Sequence, residues 1–333
     1  MPDLRVAILG AGAMGATHAA AYAGIAGVSV VGVFSRDPAR ARSVANLCGA
    51  VPSTDLAALI ENPNVDAIDI CLPTVAHPGT VIAALAAGKH VFCESPLALE
   101  LDEARQMREG ARRAGRLLQV GLLMRSVGAY EHVKAVATSN EHGRLLSLAT
   151  WRLGSYLHAQ APAHKAHYGD PSTELLTFDF DFVLWTMHRP QRLSASAVRT
   201  PQGRPGEISA LLDCGDGRHA SLIASGLMPP GSPFTVGFRA LFEGAAFEHQ
   251  SVFEQGPPRS TFTVTSGKAP ARPVPVPDRN PYQIELQRFV DCTRGLADPA
   301  LLDVERAIDA LSLSKATQRA LSHGQTIDVF TIP

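Results

Sequence analysis

The chain has 333 residues, 46% hydrophobic and 18% charged, enough apolar material for about two domains with cores of their own. With 30 basic against 31 acidic residues the net charge is -1, so no overall field draws the protein to nucleic acid or an anionic membrane, and a small-molecule partner becomes the default. No apolar run is long enough for a membrane helix, and a strand-like run follows Met1-Pro2-Asp3-Leu4-Arg5 without a signal-peptide pattern, which suggests a cytoplasmic protein.

The first third alternates strand and helix signals. Val6-Ala7-Ile8-Leu9 leads into a Gly/Ala-rich helix ending near Tyr22. Val28–Phe34 leads into a helix from Pro38 to about Leu47. Further apolar runs at Ala67–Leu72, Val91–Cys93 and Leu117–Gly121 are separated by helical stretches near His77–Ala87 and Leu101–Ala114. Such alternation reads as βαβ units building a doubly wound parallel sheet. After about Leu122 a helix near Ala129–Thr138 precedes runs of period two at Leu145–Arg152, Arg192–Arg199, Glu207–Asp213, His219–Ser225 and Phe234–Phe242. These predict an antiparallel sheet and an α+β second domain. Gly267–Pro277 is too proline-rich for a helix or central strand and reads as a surface connector. It leads to amphipathic helices at Pro281–Gly295 and Val304–His323, the latter closed by Gly324. The expected architecture is an α/β Rossmann domain over 1–122 and an α+β domain over 123–333.

Cys48, Cys71, Cys93, Cys214 and Cys292 are scattered, with no Cys-x-x-Cys pair and no clustered histidines. They read as reduced thiols packed as small hydrophobes, and no metal site is expected.

Gly10-Ala11-Gly12-Ala13-Met14-Gly15 follows the first strand and opens the first helix. In that setting the first glycine permits a tight turn, the second admits a pyrophosphate to the backbone, and the third lets helix and strand pack closely. The phosphates then meet free amides at the positive end of the helix. After the second strand the chain reads Ser35-Arg36-Asp37. A hydroxyl and a guanidinium there can hold a ribose 2′-phosphate, which favours NADP as cofactor and leaves NAD open.

Thr74-x-x-His77, Ala87-Gly88-Lys89-His90-Val91 and Glu94-Ser95-Pro96-Leu97-Ala98, with Val120-Gly121, Arg125, Tyr130, Asn280-Pro281-Tyr282 and Phe289-Val290, resemble the Gfo/Idh/MocA family. The resemblance implies a C-terminal domain with a large, mainly antiparallel open sheet that often joins copies, here into a homodimer or homotetramer. It also implies NAD(P)-dependent oxidation or reduction of sugars, cyclitols and related alcohols. Leu72, Pro73, Thr74, His77, Glu94 and Ser95 would then border the cofactor. The sequence departs from the family at two places. Ser95 stands where the family usually has the lysine of Glu-Lys-Pro, and a neutral serine hydroxyl cannot take over a cation's role beside a reacting oxygen. When Asp181 and Trp185 are aligned on the second family signature, Glu174 falls on its carboxylate and Phe178 on its histidine.

Replacements for the missing groups would come from Lys165, His167 and Tyr168 in the titratable stretch His158–Asp170, or from Glu174, with Asp181 orienting its neighbours. Arg125 and Arg152 could grip an anionic substrate group. Two functions therefore compete. The first is a dehydrogenase or reductase for sugar-like, cyclic hemiacetal or dihydrodiol substrates. The second is a nucleotide-binding protein without net hydride chemistry, either a lyase or glycosidase-like enzyme or a lapsed sensor.

Overall fold

Strand β1 (Leu4–Leu9) buries Val6, Ala7, Ile8 and Leu9 completely, as an apolar run should in the middle of a sheet covered on both faces. It is followed by α1 (Ala13–Tyr22), β2 (Val28–Phe34), α2 (Pro38–Ala45), β3 (Val51–Ser53), α3 (Leu56–Glu61), β4 (Ala67–Ile70), α4 (His77–Ala86), β5 (His90–Cys93), α5 (Leu101–Ala114) and β6 (Leu118–Val120). These six strands form one sheet in the order β3-β2-β1-β4-β5-β6, every neighbouring pair parallel. The order reverses between β1 and β4, the switch point at which ligands of doubly wound sheets settle. The computed structural model describes residues 3–157, 169–254 and 256–329.

The rest of the chain adds α6 (Gly128–Ser139), β7 (Leu145–Leu153), α7 (Pro171–Glu174), α8 (Leu176–Met187), β8 (Arg192–Arg199), β9 (Pro205–Asp213), β10 (His219–Ser225), β11 (Phe234–Phe242), β12 (Ala245–Phe253), β13 (Arg259–Ser266) and β14 (Arg272–Pro273). Then come α9 (Pro281–Thr293), α10 (Val304–His323) and β15 (Ile327–Asp328). The second sheet has nine strands in the order β14-β13-β12-β11-β7-β10-β9-β8-β15. All its pairs are antiparallel except β7 with β10. The sequence reading missed β12 and β13, although β12 alternates buried Phe247, His249 and Ser251 with exposed Glu248 and Gln250.

Where the sequence suggests a single cut after residue 122, the two compact units are each built from two segments. One combines Met1–Ser126 with Asp278–Ile308, the other Val127–Pro277 with Asp309–Pro333. Helix α9 returns to the first unit because its apolar face has partners there. Phe289 packs edge-on against Phe92 at 5.5 Å between ring centres, and the Gln283 side-chain amide donates to the Gly24 carbonyl at 2.7 Å.

Candidate functional site

The turn between β1 and α1 can be built only with glycine at two of its three places. Gly10 sits at φ +123°, and a Cβ there would lie 2.4 Å from the Cys71 carbonyl oxygen. A Cβ on Gly15 would lie 1.8 Å from the Gly10 carbonyl oxygen. At Gly12, the N-cap of α1, nothing lies within 4 Å, and no side chain caps the helix. The first-turn amides from Gly12 through Ala13, Met14 and Gly15 therefore receive no side-chain cap and are available to a ligand, with open space at Gly12. Ala11 completes the turn. These features fit a dinucleotide pyrophosphate.

Behind the turn lies a cluster of which the sequence reading singled out only Glu94 as a site residue. His18 on α1 is fully buried, and its Nδ1 is 2.8 Å from Oδ2 of the equally buried Asp69 on β4. Its Nε2 approaches Glu94 Oε1 at 2.7 Å, an ion-pair contact without hydrogen-bond alignment. Burial alone would strip the proton from His18, but the charge and hydrogen bond of Asp69 outweigh it and hold the imidazolium well above its ordinary range. Glu285 on α9 is 1% exposed, and neither of its carboxyl oxygens has a hydrogen-bond partner among the described residues. Burial, reinforced by Glu94 and Asp69 against the opposing His18, pushes its carboxyl well up, so Glu285 keeps its proton. Cys71 Sγ lies 3.3 Å from His18 Nδ1, and burial pushes this thiol far up as well. His18 with Glu94 and Glu285, and His18 with Asp69 and Cys71, each bring ligand-type atoms within 4.8 Å of one another. The available signals were an aspartate inside the apolar strand Ala67-Ile68-Asp69-Ile70 and a glutamate on the apolar face of α9 beside Leu286, Phe289 and Val290.

The other cofactor-side residues divide. His77, expected at the cofactor, is 1% exposed, with Nε2 at 2.8 Å from the Leu72 carbonyl and Nδ1 at 3.0 Å from the Pro96 carbonyl. Burial lowers its pKa, and a neutral ring, with a single N–H, donates to only one of these two backbone segments. Leu72 and Thr74 are half-buried and Pro73 exposed at the end of β4. The Ser95 amide donates to Glu94 Oε2 at 3.0 Å, and the Ser95–Pro96 bond is cis. At the end of β2 the Asp37 amide donates to Ser35 Oγ, and the Asp37 carboxylate accepts from the Ala39 and Arg40 amides to cap α2. Arg36 between them is exposed. Arg125 was expected to meet substrate; it is buried and donates from Nη1 to the Leu301 carbonyl at 3.0 Å within the first unit.

The remaining candidates belong to the second unit. Lys165, His167 and Tyr168 lie outside the described residues. Glu174 closes α7, and burial raises its carboxyl pKa above the ordinary value against the Gly169 amide that holds it. Asp181 is buried within α8. Arg152 was expected at a substrate anion. Its Nε instead meets Asp179 Oδ2 at 2.7 Å, the two side chains 5% and 0% exposed, and its guanidinium lies 4.8 Å over the Phe178 ring. A carboxylate on the same helix has taken the anion's place.

Residues 4–122 match the family model described as an oxidoreductase family with an NAD-binding Rossmann fold. The chain is 24% identical over 346 aligned residues to scyllo-inositol 2-dehydrogenase (NAD(+)) of Bacillus subtilis, covering 98% of this chain and 96% of that protein. It is 38% identical over 149 residues to an inositol 2-dehydrogenase of Streptomyces avermitilis, covering 44% of this chain and 43% of the other. The solved complex of levoglucosan dehydrogenase with NADH and levoglucosan shares the fold, with a TM-score of 0.80 at 19% identity over 99% of this chain and 100% of that one. No described helix is long and apolar enough to cross a membrane.

Proposed function

The chain belongs to the Gfo/Idh/MocA family of oxidoreductases, and on that premise we propose that it is an NAD(P)-dependent dehydrogenase or reductase. It moves hydride between nicotinamide and the hydroxyl- or carbonyl-bearing carbon of a sugar-like, cyclic hemiacetal or dihydrodiol substrate. The observation that carries this reading is the uncapped start of α1, opened by Gly12 at the switch point of a 3-2-1-4-5-6 sheet. The relatives supply the chemistry: an inositol dehydrogenase named for NAD(+) and a levoglucosan dehydrogenase solved with NADH.

We assign NADP as the preferred cofactor. Arg36 is exposed directly after β2, free to meet a 2′-phosphate, while the Asp37 carboxylate is committed to the cap of α2. When bound, the nicotinamide supplies hydride acceptance and donation; the chain orients it and manages the proton. For that proton we favour Glu174, whose raised pKa suits a group that both accepts and returns protons. Ser95 carries no charge and leaves oxyanion stabilisation to other donors. The outward face of the second sheet, where Leu211, Ile223 and Leu241 are 40–47% exposed, is where a second copy would dock. Calorimetry with NADP+ and NAD+, followed by absorbance at about 340 nm with inositols, anhydrosugars and dihydrodiols, tests the reading. Nucleotide binding without reduction of either nucleotide across the panel would remove the dehydrogenase activity.

A further inference from the structure

Three carboxyl groups face one imidazole around His18, and among the described residues no lysine or arginine pairs with them. The charged groups that act on Glu285 are Glu94, His18 and Asp69, contributed by the turn after β5, by α1 and by β4. Tyr22 of α1 and Cys71 border the cluster as neutral groups, since burial drives both pKa values far up, and the rings of Phe92 and Tyr282 lie against His18. Ser95, the residue after Glu94, adds no cation. With His18 charged and Glu285 protonated, the formal sum is one net negative charge, buried where the dielectric is low and salt screens little. Glu285 marks the imbalance, a carboxyl 1% exposed with both oxygens unmatched and one of them within 4.8 Å of ligand-type atoms of His18 and Glu94. Asp69 lies on β4 and Glu94 directly follows β5, so the excess charge stands at the carboxyl ends of the strands beyond the switch point.

We propose that this cluster makes the nucleotide site discriminate by redox state, binding the oxidised dinucleotide, whose pyridinium ring is cationic, in preference to the reduced form, whose dihydropyridine ring is neutral. The inference rests on the dinucleotide reading above and deepens it. A fixed negative charge attracts the cation and gains nothing from the neutral ring, so the gap between the two affinities measures the cluster's field. The direction it favours is oxidation of substrate, because the oxidised cofactor is then captured readily and the reduced one leaves.

The test is calorimetric titration of the purified full chain with NAD+, NADH, NADP+ and NADPH, taking the ratio of reduced-form to oxidised-form Kd for whichever nucleotide binds. That ratio should be about tenfold or more in the wild-type chain. Glu94→Gln, which removes one negative charge, and Ser95→Lys, which adds a cation beside it, should each lower the ratio at least about fivefold. Because both affinities are measured on the same variant, a partly inactive preparation cancels from the ratio. If Glu94→Gln does not fold, Ser95→Lys alone decides. A wild-type ratio near unity or below, or a folded variant that leaves the ratio unchanged, overturns the proposal while leaving the dinucleotide site in place. Silence with all four nucleotides removes the site itself, and this inference with it.

Discussion

The two units bury charge in opposite ways. In the second, Arg152 meets Asp179 charge for charge at 2.7 Å, both nearly inaccessible, with the guanidinium over Phe178, although Arg152 Nη2 and Asp179 Oδ1 have no hydrogen-bond partner among the described residues. In the first, His18 is shared by Asp69 and Glu94 while Glu285 stands beside them with unmatched oxygens. A charge-balanced pair holds its neighbours in one arrangement and presents no net charge to a ligand. An unmatched cluster costs folding free energy that a ligand of the right charge can return. Buried charge marks a site only where its partners do not balance.

Breaking the matched pair should have the largest effect. Asp179→Ala leaves the Arg152 guanidinium buried without its carboxylate and is expected to cost about 3–5 kcal/mol, read as a lowered urea midpoint. A midpoint within error of wild type would show that Arg152 finds water or another acceptor, and the contrast between the units would fail. The glycine turn comes next. Gly10→Ala forces a side chain into φ +123° against the Cys71 carbonyl and should cost about 2–3 kcal/mol, together with nucleotide binding. Gly12→Ala meets open space, so its stability should stay within about 0.5 kcal/mol of wild type while nucleotide affinity falls about tenfold or more, separating a glycine needed by the chain from one needed by the ligand.

The same contrast explains what could be read beforehand. Strand and helix alternation, the glycine spacing and the parallel sheet are local signals repeated along the chain, and the structure carries them at nearly the expected residues. The return of α9 to the first unit is not local. It depends on Phe289 finding Phe92 and Gln283 finding Gly24, contacts across roughly 200 residues or more that no period encodes. The polar groups divide similarly. Asp69 is a local oddity in an apolar strand that the sequence reading passed over, and its partner His18 lies 51 positions away and Glu285 far beyond that. Arg152 was read as a substrate ligand because nothing in its own strand reveals that Asp179 would occupy it.

A smaller effect sharpens the cofactor assignment. Arg36→Ala removes an exposed side chain with no part in the cap of α2, so stability should not change. NADP+ affinity should fall about ten- to a hundredfold, with NAD+ affinity nearly constant, as direct titration of both nucleotides would record. Equal losses for both would place the guanidinium over the adenine and withdraw the preference for NADP.

The smallest effect belongs to Glu285→Gln at neutral pH, and its direction with pH tests the unmatched cluster most directly. The folded-state pKa of Glu285 is raised above its unfolded value, so folding retains a proton that the unfolded chain releases. Its contribution is fully present below the ordinary glutamate range and is lost as pH climbs toward the raised folded value. His18 acts with the same sign, its contribution present below the ordinary histidine value and declining as pH rises through the higher folded one. Glutamine keeps the shape of the protonated acid and cannot ionise. Melting curves from about pH 5 to about pH 9 should therefore begin nearly superimposed and diverge, with wild type losing stability relative to Glu285→Gln as pH rises. The variant should still slope downward because His18 remains. Parallel curves across the range would mean that Glu285 is already ionised in the fold, and that the cluster holds two excess negative charges rather than one.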